Sequence, residues 1–163
     1  MKIKTSGRDD SRSDQYRYPY EPTPYSVLER LAGNGYIRKS NCLLDYGCGK
    51  GRVDFFLSYQ TRCSSVGVDM IAEYMKQSAK TNAMPYQAAG RNSSMGNAEN
   101  YVVPAEVDRV FFFNPFSVEI LRKVLAKIED SYYENPREIQ LFFYYPSDEY
   151  ISELMTVYML SFV

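Results

Sequence analysis

"LLDYGCGKGRVDFFLSYQ", residues Leu43 to Gln60, runs from an apolar stretch through three glycines at alternate positions, Gly47, Gly49 and Gly51, into a segment where Val53, Phe56 and Leu57 share a helical face. This order predicts a buried strand in "NCLLDYG", a tight turn, and a helix over Lys50–Tyr59. Without a Cβ, glycine enters backbone conformations closed to other residues and lets the main chain touch a ligand. The first N–H groups of the following helix have no intrahelical partner and point at the same place. In doubly wound α/β folds such a turn is the floor of the ligand site. A glycine loop alone does not name the ligand.

Working outward, "SSVGVDM" reads as a second apolar strand ending at Asp69, and "IAEYMKQSAKTNA" as a helix with Ile71, Met75 and Ala79 in register. Residues 82–100 are small and polar where a third strand is due. "VDRVFFFNPF" resumes as a strand, "SVEILRKVLAKIEDSYY" is an amphipathic helix that Ser117 is placed to cap, and "EIQLFFYYP" is another buried strand. Upstream, prolines at 19, 22 and 24 precede Val27, Leu28, Leu31 and Ala32 on one face of a short leading helix, with Gly33 and Gly35 as stop signals. Residues 1–19 are polar, without apolar periodicity, and are expected to form a flexible arm. The expected fold is therefore α/β: a doubly wound, Rossmann-like, mostly parallel sheet with helices on both faces, in one domain over residues 20–163.

Composition narrows the chemistry. The 163 residues include no histidine, which removes Ser-His-Asp and Cys-His catalysis and His-ligated metals. Cys42, Cys48 and Cys63 form no C-x-x-C pair, so neither a disulfide framework nor a zinc site is indicated. Lys plus Arg number 19 against 20 for Asp plus Glu, so no strong global field draws in polyanions, and no uncharged run reaches the roughly 18 residues of a membrane span. A cytoplasmic protein with no membrane partner is expected. The sixteen tyrosines concentrate in clusters such as "YRYPY" and "FFYYPSDEY" at segment ends, where they serve as core and rim packing or face a pocket.

Three glycine-loop ligands compete. A mononucleotide phosphate loop needs G-x-x-x-x-G-K and then Ser or Thr, but Lys50 is followed by Gly51 and position 44 is Leu44. A nicotinamide loop, G-x-G-x-x-G, needs glycine where Arg52 stands. The third, D-x-G-x-G-x-G in "DYGCGKG", resembles the class I S-adenosylmethionine-dependent methyltransferases, and the resemblance runs from about Tyr20 to Tyr150. It implies S-adenosylmethionine as cofactor, with Asp45 helping to hold the amino acid end, Gly47, Gly49 and Gly51 passing beneath it, and Asp69 accepting from the ribose hydroxyls. Asp69 lies 18 residues after Gly51, near the interval of about 20 expected for a ribose-binding acid. Cys48 and Met70, which adjoin these residues, fall in the same cofactor shell, although the thiol inside the loop reads as a small space-filler rather than a nucleophile.

"GNAENY" resembles the family's adenine-side loop and makes Asn97, Ala98 and Glu99 candidates there. "FFFNPF" resembles the N-P-P-aromatic motif of enzymes that methylate amino or amide nitrogen, one proline short. By that likeness Asn114 and Pro115 orient the acceptor and Phe116 stacks on it. The plainer readings are that Asp45 and Asp69 cap helices and that Asn114-Pro115 is a turn. The acceptor stays open between a nucleic-acid base, a protein side chain and a small molecule.

The family's sheet usually closes with a C-terminal antiparallel hairpin, and the 17 residues after Pro146 are too few for it. The expected sheet therefore lacks that hairpin and has an open edge, which a second copy in a homodimer would complete. A truncated, non-catalytic cofactor-binding or interaction module is the rival of the methyltransferase reading, and a nicotinamide-dependent reductase, equally served by Asp69, is a weaker one.

Overall fold

The computed structural model describes residues 21–69, 98–157 and 160–161. The expected arm, the helix expected from Ile71 and the loop before Ala98 lie outside them. The order is α1 (Tyr25–Gly33), β1 (Cys42–Tyr46), α2 (Arg52–Thr61), β2 (Ser64–Val68), a 3-10 turn (Ala98–Asn100), β3 (Arg109–Phe112), α3 (Val118–Glu134), β4 (Gln140–Phe143) and α4 (Asp148–Leu154). The described strands form one parallel sheet in the order β2-β1-β3-β4. From β1 the chain moves outward to β2 and then returns to the other side of β1 as β3. Strand order thus reverses between β1 and β3, the place where open α/β sheets bind ligands beyond their carboxyl ends.

Both faces of β1 are covered, and all five of its residues are buried. On one face Leu43 and Phe111 meet Leu28 and Leu31 of α1 and Val53 and Leu57 of α2. On the other, Leu44, Val110 and Phe112 meet Leu121, Val124 and Ile128 of α3 and Tyr150 and Leu154 of α4. At the top of this second face, Tyr46, Phe112 and Phe143 are register partners and the last residues of their strands. Their rings stack in a row: Tyr46 on Phe112 at 5.3 Å and 10°, and Phe112 on Phe143 at 4.6 Å and 4°.

Helix α4 was not anticipated from the terminal residues. Its signature is nonetheless local: Ser147 caps it by accepting from the Tyr150 N–H at 3.2 Å, and Asp148 and Glu149 follow in the first turn. From α4 the Tyr150 hydroxyl donates to the Phe116 carbonyl at 2.6 Å, both residues being buried. That bond ties the segment after β4 to the segment after β3. Tyr150→Phe removes the donor and strands a buried carbonyl, so it is expected to cost about 1–3 kcal/mol. Urea unfolding would read this as a lower midpoint at unchanged slope, and an unchanged midpoint would mean that the tie contributes nothing.

Candidate functional site

The glycine turn leaves β1 at the reversal point, and each of its glycines uses the left-handed region: φ is +77° at Gly47, +52° at Gly49 and +74° at Gly51. Three N–H groups of this turn are directed at the end of β2. Gly47 and Cys48 donate to the Val68 carbonyl at 2.8 and 3.3 Å, and Gly49 donates to Asp69 Oδ2 at 2.7 Å. Gly51 donates to the Cys48 carbonyl at 2.7 Å and leads into α2. A Cβ on Gly47 would stand 2.5 Å from Cβ of Pro115, so the turn is packed directly on the end of β3. Asp45, the three glycines, Asp69, Asn114 and Pro115 therefore converge on one place, although they come from three strand ends.

Beneath the turn lies a buried acid pair. Asp45, 2% exposed on β1, faces Asp54 on α2, and a hydrogen bond joins the two carboxyl groups. Burial, with the charges of Asp54 and Asp69 beside it, pushes Asp45 well above the usual carboxylate range. Burial also raises Asp54, to about 7, against the opposing hydrogen bonds from Ser65 and Asp45. Asp45 Oδ2 and Asp54 Oδ1 have no hydrogen-bond partner among the described residues. Cys48 packs into the same space: a Cβ on Gly67 would lie 2.7 Å from its Sγ and 2.9 Å from Asp54 Oδ2. Burial raises this thiol too, with the neighbouring acids adding to the shift, so it stays protonated.

On the β3 side, Asn114 has φ +42° and its Oδ1 is buried without a partner among the described residues. Phe116 is only 5% exposed and turns into the core, edge-on to Tyr46 at 6.1 Å and to Phe112 at 6.3 Å. Its ring therefore presents no open face in this conformation. Ala98 is buried against the core, and Glu99 Oε2 accepts from Lys123 Nζ at 2.8 Å. Met70 and Asn97 lie outside the described residues.

Two participants escaped the sequence reading. Asp54 had a signal, an acid in helical phase with buried Leu57 and Ser58 rather than on the outer face. Arg52, read only as an interruption of the nicotinamide pattern, donates from its Nη1 to the Thr23 carbonyl at 3.1 Å and lies 4.6 Å over the Tyr25 ring. It fastens the start of α1 beside the glycine turn.

This site sits on a fold shared with class I S-adenosylmethionine-dependent methyltransferases. Solved structures that match include a precorrin 8w decarboxylase from Methanobacterium thermoautotrophicum, with a TM-score of 0.63, 18% identity and coverage of 83% of this chain and 70% of that one. A dimethyladenosine transferase from Plasmodium falciparum gives 0.61 at 16% identity, covering 83% and 46%. An RNA methyltransferase from Salinibacter ruber, solved with S-adenosylhomocysteine, gives 0.54 at 20% identity, covering 74% and 71%. The chain thus spans from about half to seven tenths of the length of these structures. No family model and no curated protein matches the sequence.

The acid pair has a measurable consequence. A carboxyl whose pKa is higher folded than unfolded holds extra protons between about pH 4 and 7, so stability falls as pH rises through that window and levels off above it. The melting temperature should drop by several degrees from pH 5 to pH 8. Asp54→Asn should flatten that dependence and raise the value at pH 8, whereas equal drops in both proteins would mean that the pair does not share a proton.

Proposed function

We propose that the chain is an S-adenosylmethionine-dependent methyltransferase acting on an amino or amide nitrogen. The observation that carries this reading is the Gly49 N–H bond to Asp69 Oδ2, which joins the glycine turn to an acid at the end of β2, at the reversal point of the sheet. The residues present fit the cofactor. Gly47 has no side chain to fill the turn, and Asp69 stands at its rim as an acceptor for ribose hydroxyls. Asp45 and Asp54 have buried, unpartnered oxygens beneath the turn, a suitable environment for the cationic amino acid end.

When bound, the cofactor supplies a methyl carbon on a positively charged sulfur, open to a lone pair as the carbon–sulfur bond breaks with its electrons left on sulfur. The chain has to orient the acceptor, and needs no imidazole to do so. Asn114 Oδ1 accepts an acceptor N–H and aims the nitrogen lone pair, and the Pro115 carbonyl takes a second N–H. The departing proton goes to solvent. A cofactor-binding interaction module is the second reading, favoured by β4, whose four residues are only half-buried and which has no outer neighbour among the described residues.

Calorimetric titration with S-adenosylhomocysteine tests the site. Asp69→Ala should weaken binding about 10- to 100-fold by removing a charged acceptor, and unchanged affinity would remove Asp69 from the ribose site. Asn114→Ala separates chemistry from binding. Affinity for S-adenosylmethionine should hold within a few fold while methyl transfer into a cell extract falls about 10²-fold. Equal losses in both would place Asn114 in the cofactor shell, and tight binding without any transfer by the wild type would select the interaction module.

A further inference from the structure

Asp54 has none of the roles that the resemblance supplies, yet three elements are arranged around it. Its carboxyl group is 9% exposed and is joined by a hydrogen bond to that of Asp45 on β1. Opposite Asp45 in the register stands Gly67 of β2, where a side chain would collide with both Asp54 Oδ2 and the Cys48 thiol. The missing side chain gives the pair its space. A chain of buried hydroxyls also leads to it: Ser58 Oγ donates to Ser65 Oγ at 3.0 Å, and the Ser65 hydroxyl donates to Asp54.

An ionised carboxylate only accepts, so a hydrogen bond between two carboxyl groups requires a proton on one of them. The titratable groups that act on this pair come from the elements around it: Asp69 after β2, Cys48 in the glycine turn and Cys63 ahead of β2. All are acids or thiols, and burial keeps the proton on the pair to near neutrality. Even so, Asp45 Oδ2 and Asp54 Oδ1 are buried without partners among the described residues. Two open acceptors need a donor with several N–H bonds, which a pair holding a single proton does not supply to itself.

We propose that the Asp45–Asp54 pair exchanges its shared proton for the ammonium group of the ligand, with Ser65 as the positioning residue that holds Asp54 for the exchange. This rests on the methyl-transfer reading, which brings an amino acid end to Asp45. The step is acid–base only: the carboxyl O–H breaks, its electron pair stays on oxygen, the proton leaves to solvent, and the ammonium N–H groups donate to the open oxygens. A cation beside two carboxylates then offsets the repulsion that the proton had relieved. An uncharged group in its place would leave the proton where it is, so the pair selects for a charged end. Because the free protein holds one proton more than the complex, affinity rises with pH toward the titration of the pair and levels off above it.

Calorimetric titration of the full chain with S-adenosylhomocysteine tests this in two buffers of unlike ionisation enthalpy, phosphate and bis-tris. Wild type should release a proton, read as a difference in apparent heat between the buffers, and its affinity should rise about tenfold or more from about pH 5 to 7. Asp54→Asn should abolish both. Ser65→Ala, which removes a bond that favours the charged carboxylate, should move the rise to higher pH, whereas a residue that only packs would leave it in place. Should Asp54→Asn fail to fold, the wild-type profile and Ser65→Ala still decide. Equal heats in both buffers with affinity flat in pH, or proton release undiminished in Asp54→Asn, overturns the proposal and leaves the methyl-transfer reading intact. An unmoved profile in Ser65→Ala removes Ser65 from the exchange. Failure of the wild type to bind S-adenosylhomocysteine at any pH would instead remove the methyl-transfer reading beneath it.

Discussion

The row of rings formed by Tyr46, Phe112 and Phe143 sets the level from which the site is built. In a parallel sheet, register partners project to the same face, so aromatic residues at the last position of three adjacent strands must meet. Each such contact adds about 0.5–1.5 kcal/mol beyond the area it buries. Because β1, β3 and β4 all end at this row, the glycine turn, the Asn114 segment and the Tyr145 segment leave the sheet at one height. Phe116 and Tyr150 then pack edge-on against the row from the chain that follows β3 and β4. A slip of one residue in any strand would turn its ring to the other face and dissolve the arrangement.

Close packing above that row leaves little freedom. Gly47 has no room for a Cβ against Pro115, and the N–H groups of the turn are committed to the Val68 carbonyl and Asp69. The turn therefore holds its shape through contacts from β2 and β3 as much as through its own glycines. The same crowding forces Asp45 and Asp54 together out of water, an electrostatically unfavourable arrangement that the pair relieves by retaining a proton near neutrality. Left-handed backbone at Asn114 and Tyr145 adds further cost at the same end of the sheet. Several unfavourable terms thus gather at the end of the sheet that carries the glycine turn.

The matching structures fit this division. A decarboxylase and methyltransferases of different description share the scaffold at 16–20% identity, so the scaffold leaves the chemistry to the groups mounted at its strand ends.

The local features were legible in the sequence because local physics decides them. The apolar run before Gly47, the glycine spacing, Asp69 at the end of "VGVD" and Asn114-Pro115 after "VFFF" each follow from neighbours in the chain. These positions also predict the reversal of strand order, since short parallel strands with helical connections admit few arrangements. Side-chain facing was another matter. Phe116 reads as an aromatic beside the acceptor, yet its ring turns inward onto Tyr46 and Phe112, residues of two other segments, and Tyr150, 34 residues on, donates to its carbonyl. Asp54 shares its helical phase with Leu57 and Ser58, yet only the seating of α2 on β1 brings it to Asp45. Tyr145 reads as one more ring in an aromatic run, and only the pairing of β3 with β4 makes it and Asn114 each the second residue beyond neighbouring strand ends. Spacing along the chain determined which residues reach the end of the sheet. The register between strands and the seating of helices decided which of them face the crevice, because those contacts join residues that no local pattern links.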